Sequence, residues 1–305
     1  MADVAFIINR TCVRDGDGLR RRCRGAAVNA GCEPVFLATS VDEAGSGLAS
    51  DAVADGAGLV FAAGGDGTVR ACAQALAGTR VPLALLPLGT ANLAARALGV
   101  PSRVGAALAA GFGGRDRLVD VGDADGMTFL AMAGMGLDAG VVGATPPRLK
   151  GLLGWAAYAA TGAVHVLASS PQLRRGHQFR VRLDDRDPLA RRAQSVVAAN
   201  TGLLPGGFVL LPGASPEDGL LDVGVLAPAS IPDWVRVAHN VLTQDPAGGP
   251  HLERHRARRV EISADALLPR QVDGEVISPG RSLTVTVRPR ALRVRVPAAA
   301  SPNHD

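Results

Sequence analysis

Aromatic side chains are scarce in this sequence: of 305 residues, seven are Phe, two Trp and one Tyr. Proteins that hold single-stranded nucleic acid set stacking aromatics among basic residues. The basic runs here, Leu19 to Arg24, Arg174 to Arg192 and His251 to Arg259, do not carry the series of stacking aromatics that such binding needs, so no nucleic-acid partner is expected. Cysteine is as sparse. Cys12, Cys23, Cys32 and Cys72 all lie in the first quarter and form no CxxC pair, which excludes a disulfide-stapled mini-protein, argues against zinc and points to reduced thiols in the cytoplasm. Lys150 is the single lysine among 32 basic residues; a compact ammonium near phosphate and chance both account for it. The N-terminal MADVAFIINR lacks the basic region and cleavage site of a signal peptide and reads as a buried strand. Charge is missing altogether from Gly151 to Leu173. That stretch is mostly Ala, Gly, Thr and Ser, which contribute little insertion energy, so it reads as a buried or membrane-facing helix and not as a span.

What is present is a globular composition. Apolar residues make up 47% and charged residues 20%, enough for two cores at roughly 150 residues per domain. The formal charge of +4 leaves an anionic bilayer open as a partner, beside the plainer reading of solvated faces with acidic neighbours. Short apolar runs alternate with Ala-rich helical stretches as far as about residue 120. Strands are expected at Val4–Asn9, Pro34–Ala38, Leu59–Ala63 and Pro82–Pro87. Helices are expected at Gly18–Ala30, Val41–Ala54, Thr68–Ala77, Asn92–Leu98 and Arg103–Ala110. Such alternation predicts a parallel sheet covered by helices. Beyond Val119-Asp-Val-Gly122 the runs alternate as half-buried strands do, at Phe179–Leu183, Ser195–Ala199, Leu220–Leu226, Arg259–Ile262 and Leu283–Arg288, with a turn at Asp184 to Pro188. A mainly antiparallel second domain follows, over residues 122–288. The first domain spans 1–121, and the last apolar run, Ala291 to Val296, returns to complete it over about 289–305.

The densest signal is Gly64-Gly65-Asp66-Gly67-Thr68, where a strand ends and a helix begins at once. Glycines permit close backbone approach, so the amides and the helix N-terminus can face a phosphate. Asp66 would then reach a magnesium ion or polarise an acceptor; the alternative is a tight turn with Asp66 as a helix cap. A second loop, Leu86-Pro-Leu-Gly-Thr-Ala-Asn92, follows the next strand and offers Gly89, Thr90 and Asn92. Loops after adjacent parallel strands share one edge of the sheet, where ligands bind in this architecture.

With these residues the sequence resembles the diacylglycerol kinase catalytic-domain family, relatives of the sphingosine kinases. GGDGT is shared with NAD kinases and phosphofructokinase-like enzymes. The segments from Pro87 to Arg96, from Pro212 to Leu221 and from Val272 to Glu275 are more specific, and the four motifs stand in family order across most of the chain. The resemblance implies an α/β N-terminal domain and a β-sandwich C-terminal domain that takes a lipid alcohol. It also implies ATP bound by Asn9, Thr39, Gly64, Gly65, Asp66, Gly67, Thr68, Val69, Arg70, Gly89, Thr90 and Asn92. Glu275 would be the general base beside Asp66, and magnesium would be held by the Asp218 carboxylate with the backbone carbonyls of Ser215 and Leu220. The enzyme would be cytoplasmic and visit the inner face of the membrane; dimerisation through sheet edges stays open. Arg10 stands where relatives have proline after Asn9, and Leu93 where many have Asp. An NAD kinase-type enzyme and a noncatalytic lipid- or nucleotide-binding relative are the alternatives.

Overall fold

Val4-Ala-Phe-Ile-Ile8 and Leu83-Ala-Leu-Leu-Pro87 are buried at every position. A run without polar interruption is satisfied only in a strand covered on both faces, the condition of a parallel sheet. In this computed structural model, which describes residues 3–13, 15–40, 43–136, 176–204, 208–243, 249 and 251–298, the chain divides into two compact units. One comprises residues 1–119 with 290–305, the other residues 120–289. Lys150 and the uncharged 151–173 segment lie outside the described residues.

In the first unit β1 (Val4–Ile8), β2 (Pro34–Ala38), β3 (Leu59–Gly64) and β4 (Leu83–Pro87) run parallel, with β1 between β2 and β3, and β4 beyond β3. β14 (Glu275–Val296) adds its last residues to this sheet, Val294 opposite Leu83. Helices α1 (Gly16–Asn29), α2 (Ser46–Ala54), α3 (Asp66–Leu76), α4 (Leu93–Ala97) and α5 (Val104–Gly113) connect the strands. Phe36, Phe6 and Phe61 are register neighbours on β2, β1 and β3. They stack at 5.2 and 4.7 Å, and Phe112 of α5 tilts onto Phe61 at 5.1 Å. Each such pair contributes about 0.5–1.5 kcal/mol beyond the area it buries. α2 begins at Ser46, not at Val41 as the apolar pattern suggests. Glu43 Oε1 accepts from the amides of Gly45 and Gly47, and Gly45 has φ 123°, a backbone a helix cannot contain.

The second unit is antiparallel, as expected. Strands β12 (Leu252–Ala257), β11 (Leu221–Leu226), β10 (Ser195–Ala199), β7 (Met132–Gly136) and β13 (Arg259–Val272) lie side by side, followed by the first part of β14. The first half of β13 pairs instead with β8 (His177–Leu183), which pairs with β9 (Leu189–Ala193) across the Asp184 turn. A register shift between Ser263 and Leu268 separates the halves, so one strand serves both faces of the sandwich. Along β10, Val196 and Ala198 enter one core, and Val197 and Ala199 enter another that includes Val241 of α6 (Ile231–Thr243).

Candidate active site

The parallel sheet ends in a cluster of loops. Asn9 closes β1: its Oδ1 accepts from the Thr11 N–H at 3.0 Å and the Thr11 hydroxyl at 2.7 Å, which starts a short 3-10 turn over Arg10–Cys12. Its Nδ2 donates to Thr68 Oγ1 at 3.2 Å. With Arg10 in place of proline, the asparagine still reaches the phosphate-loop threonine. Thr39, half-buried, follows β2 and donates its N–H to Ile8 O at 3.0 Å. A cavity of about 280 Å3, lined by Ile8, Arg10, Val13, Asp17, Arg20 and Ala38 among others, adjoins these two strand ends.

The two glycine loops touch. A methyl group at Gly89 would stand 2.5 Å from Gly65 Cα, closer than any side chain allows, so position 89 needs glycine for this approach. Leu88 N–H donates to Gly64 O at 2.9 Å, and no side chain caps α3 at Gly65. The first-turn amides of α3 therefore face outward as anion donors. Asn92 clamps the second loop. It accepts from Gly89 N–H at 3.0 Å, donates back to Gly89 O at 2.7 Å and holds a left-handed φ of 48°. Asp66 joins the loops, its Oδ1 accepting from Leu93 N–H at 2.6 Å. Burial raises its pKa from the ordinary carboxylate value, while amide hydrogen bonds from Leu93, Ala94 and Asn92 pull it back. Thr68 is buried, Thr90 and Gly67 are exposed, and Arg70 is half-buried. Val69 turns its side chain into the core, 4% exposed, leaving only its backbone to a ligand. The sheet edge thus gathers Asn9, Thr39, Gly64 to Thr68 and Gly89 to Asn92.

Glu275 lies in the second unit, exposed at the head of β14. Asp273 and Gly274, with φ 48° and 77°, form the two-residue hairpin turn before it, and Val272 pairs with Glu275. Asp273 is a residue the motif reading passed over. Its carboxylate accepts from three amides, Leu130 at 3.0, Ala131 at 2.8 and Met132 at 3.0 Å. The turn that carries Glu275 is therefore tied to the chain entering β7.

The turn around Asp218 is also hung from an unforeseen residue, fully buried Asp120, whose Oδ2 accepts from Gly219 N–H at 2.6 Å. Asn200, also buried, donates to the carbonyls of Asp120 and Leu130 at 2.9 and 3.1 Å. The expected magnesium ligands do not fit a cation. Asp218 Oδ1 accepts from Leu220 N–H at 3.0 Å and Oδ2 is ion-paired with Arg256, whose Nε reaches Asp222 Oδ2 at 3.3 Å. A guanidinium stands where the ion would need a free carboxylate, and like charges exclude each other. Burial raises the Asp222 pKa, offset by Arg256.

A parallel α/β unit with touching Gly-Asp-Gly-Thr and Gly-Thr-Ala-Asn loops, joined to an antiparallel sandwich with an Asp-Gly-Glu hairpin, defines a class: phosphotransferases with an alcohol acceptor. Comparison with known proteins narrows it. Residues 3–124 match the diacylglycerol kinase catalytic domain, and residues 131–296 match the YegS C-terminal NAD kinase beta sandwich-like domain. A Pseudomonas aeruginosa protein named "Probable lipid kinase YegS-like" is 35% identical over 294 residues, covering 92% of this chain and 90% of that one. A diacylglycerol kinase structure from Bacillus anthracis shares the fold, with a TM-score of 0.72, 18% identity and 98% of each chain covered. An NAD kinase from Archaeoglobus fulgidus in complex with ATP is more distant, with a TM-score of 0.53, 12% identity, and 96% of this chain and 93% of that one covered. The chain belongs to the diacylglycerol kinase catalytic-domain family, with a YegS-type C-terminal domain.

Proposed function

We propose that this protein transfers the γ-phosphoryl group of ATP to the hydroxyl of a lipid alcohol, diacylglycerol or a near relative. The observation that carries this reading is the loop cluster of the first unit. Asn9, Thr68, Gly65 and Gly89 are mutually braced, and the open α3 amides face the same edge, an arrangement suited to a polyphosphate. ATP enters as its magnesium complex, so the metal comes with the substrate and the Asp218 turn is not its seat.

Glu275 takes the proton from the acceptor hydroxyl as that oxygen forms a bond to the γ-phosphorus; the bond from γ-phosphorus to the bridging oxygen breaks, and ADP leaves with the electron pair. Asp66 sets the position of the second loop through Leu93, and its charge bears on the transferring group. The acceptor lies in a bilayer, so the membrane surface is the partner. No described helix is long and apolar enough to cross a membrane.

The test is transfer of labelled γ-phosphate from magnesium-ATP to a panel of lipid alcohols in mixed micelles. NAD serves as aqueous control and Glu275→Gln stands beside the wild type. Labelling of a lipid, lost in the variant while ATP still binds, is the expected result. Labelling of NAD alone would make this an NAD kinase, and ATP binding with no transfer would favour a noncatalytic relative.

A further inference from the structure

One short segment of this chain carries a dense positive charge. Residues 10–24 hold Arg10, Arg14, Arg20, Arg21, Arg22 and Arg24 against Asp15 and Asp17, a net of +4, which equals the formal charge of the whole sequence. Over the rest of the sequence basic and acidic residues cancel in sum, and several arginines there pair with a carboxylate. Arg191 pairs with Glu253 at 2.8 Å, Arg259 with Glu261 at 2.9 Å, Arg270 with Asp125 at 2.7 Å and Arg295 with Asp116 at 2.6 Å.

α1 is different. It buries Leu19, Cys23 and Ala27 and leaves Arg20, Arg21, Arg22 and Arg24 exposed; among the described residues none of these four meets a carboxylate. Asp15 is engaged as the helix cap through Gly18 N–H at 2.8 Å. Arg21, Arg24 and Val28 lie three and four residues apart, on one stripe. Val28 is 64% exposed. Arg20 and Arg24 lie against the Phe36 ring at 6.0 and 5.4 Å, so their side chains are partly ordered before any partner arrives.

We propose that α1 is the surface by which this protein docks on anionic lipid bilayers, a role that rests on the lipid kinase reading for its purpose. Arg20, Arg21 and Arg24 grip headgroup phosphates, and Val28 enters the layer between them. Guanidinium groups match phosphate oxygens in pairs, and the surface potential of acidic lipid attracts each one. The helix carries no aromatic side chain, which removes the stacking an RNA partner would use.

The experiment is co-sedimentation of the full chain with vesicles of phosphatidylcholine alone and of phosphatidylcholine mixed with phosphatidylglycerol, at low and at physiological salt. The wild type is compared with Arg21→Gln/Arg24→Gln and with the charge-matched control Arg186→Gln/Arg258→Gln. Wild type and control should bind the acidic vesicles, weakening with salt. The α1 variant should bind roughly twenty-fold less, since each arginine near such a surface accounts for roughly a five-fold change in partition. Transfer to a detergent-dispersed lipid should be unchanged in it. Equal loss in variant and control, undiminished binding by the α1 variant, or displacement from vesicles by RNA would each overturn the proposal while leaving the kinase reading intact. Vesicle binding that needs α1, in a protein that labels no lipid, would support the surface and count against the kinase reading.

Discussion

Asp66 shows how one carboxylate can serve two ends. It closes the start of α4 through Leu93 and is buried enough to hold its proton more tightly than in the unfolded chain. The folded state then binds more protons between the ordinary carboxylate range and the raised value, so this group's contribution to stability falls as pH rises through that window. Asp66→Asn keeps an oxygen for the Leu93 amide and loses the charge. Thermal melts of the variant should match or exceed wild type and lose part of that slope, while phosphoryl transfer drops on the order of a hundred-fold or more. A variant that melts early would make Asp66 structural first. Gly89→Ala is the complementary case. Its methyl group meets the Gly65 backbone, so the loops must part, at about 1–3 kcal/mol of stability, with weaker ATP binding in titration calorimetry. Buried Cys23 and Cys72, both pushed up to about 12 by burial, are inert as nucleophiles at neutral pH.

Among the elements, the hairpin before Glu275 is tied to the start of β7 by the Asp273 side chain. Replacing Asp273 by Ala leaves the amides of Leu130, Ala131 and Met132 without their acceptor, a loss of about 3 kcal/mol in denaturant melts; Asp273→Asn should recover part of it. The β11–β12 pair carries a different dependence. Arg256 answers both Asp218 and Asp222, so magnesium and chelator should give the same melting temperature. Arg256→Met should cost about 1–2 kcal/mol, since the guanidinium is half exposed and solvent screens it. Stabilisation of the wild type by magnesium would return the ion to that turn. These contacts also mark where sequence reading stops. The Gly-Asp-Gly-Thr loop and the Asp-Gly hairpin are legible because their geometry is local. The Asp120 tie to Gly219 spans 99 residues and the Asp273 tie to Ala131 spans 142, and one sequence carries no record of such pairings. The length of β13 was hidden by Ser263-Ala-Asp-Ala266, which breaks the alternation at the register shift. α6 was legible in principle, with Trp234, Val237 and Val241 buried at helical spacing.

At the scale of the whole chain, the first unit is discontinuous: residues 290–305 belong with 1–119. Leu292, Val294 and Val296 are at most 2% exposed, each such burial giving about 1.5–3 kcal/mol. A chain ending at Pro289 should therefore lose the cooperative melt of the first unit, seen as early hydrogen exchange in β3 and β4; protection retained there would show the sheet to be self-sufficient. The fold class was readable at this scale because rhythm alone separates strand–helix alternation from antiparallel runs. The stacked phenylalanines have a consequence for observing the molecule. Phe6, Phe36, Phe61 and Phe112 are all the aromatics of the first unit, and Trp155, Tyr158 and Trp234 all fall in the second. Tryptophan emission reports the second unit alone, and a tryptophan introduced beside the nucleotide loops would be the first unit's own emitter, read as a difference from the Trp155 and Trp234 signal.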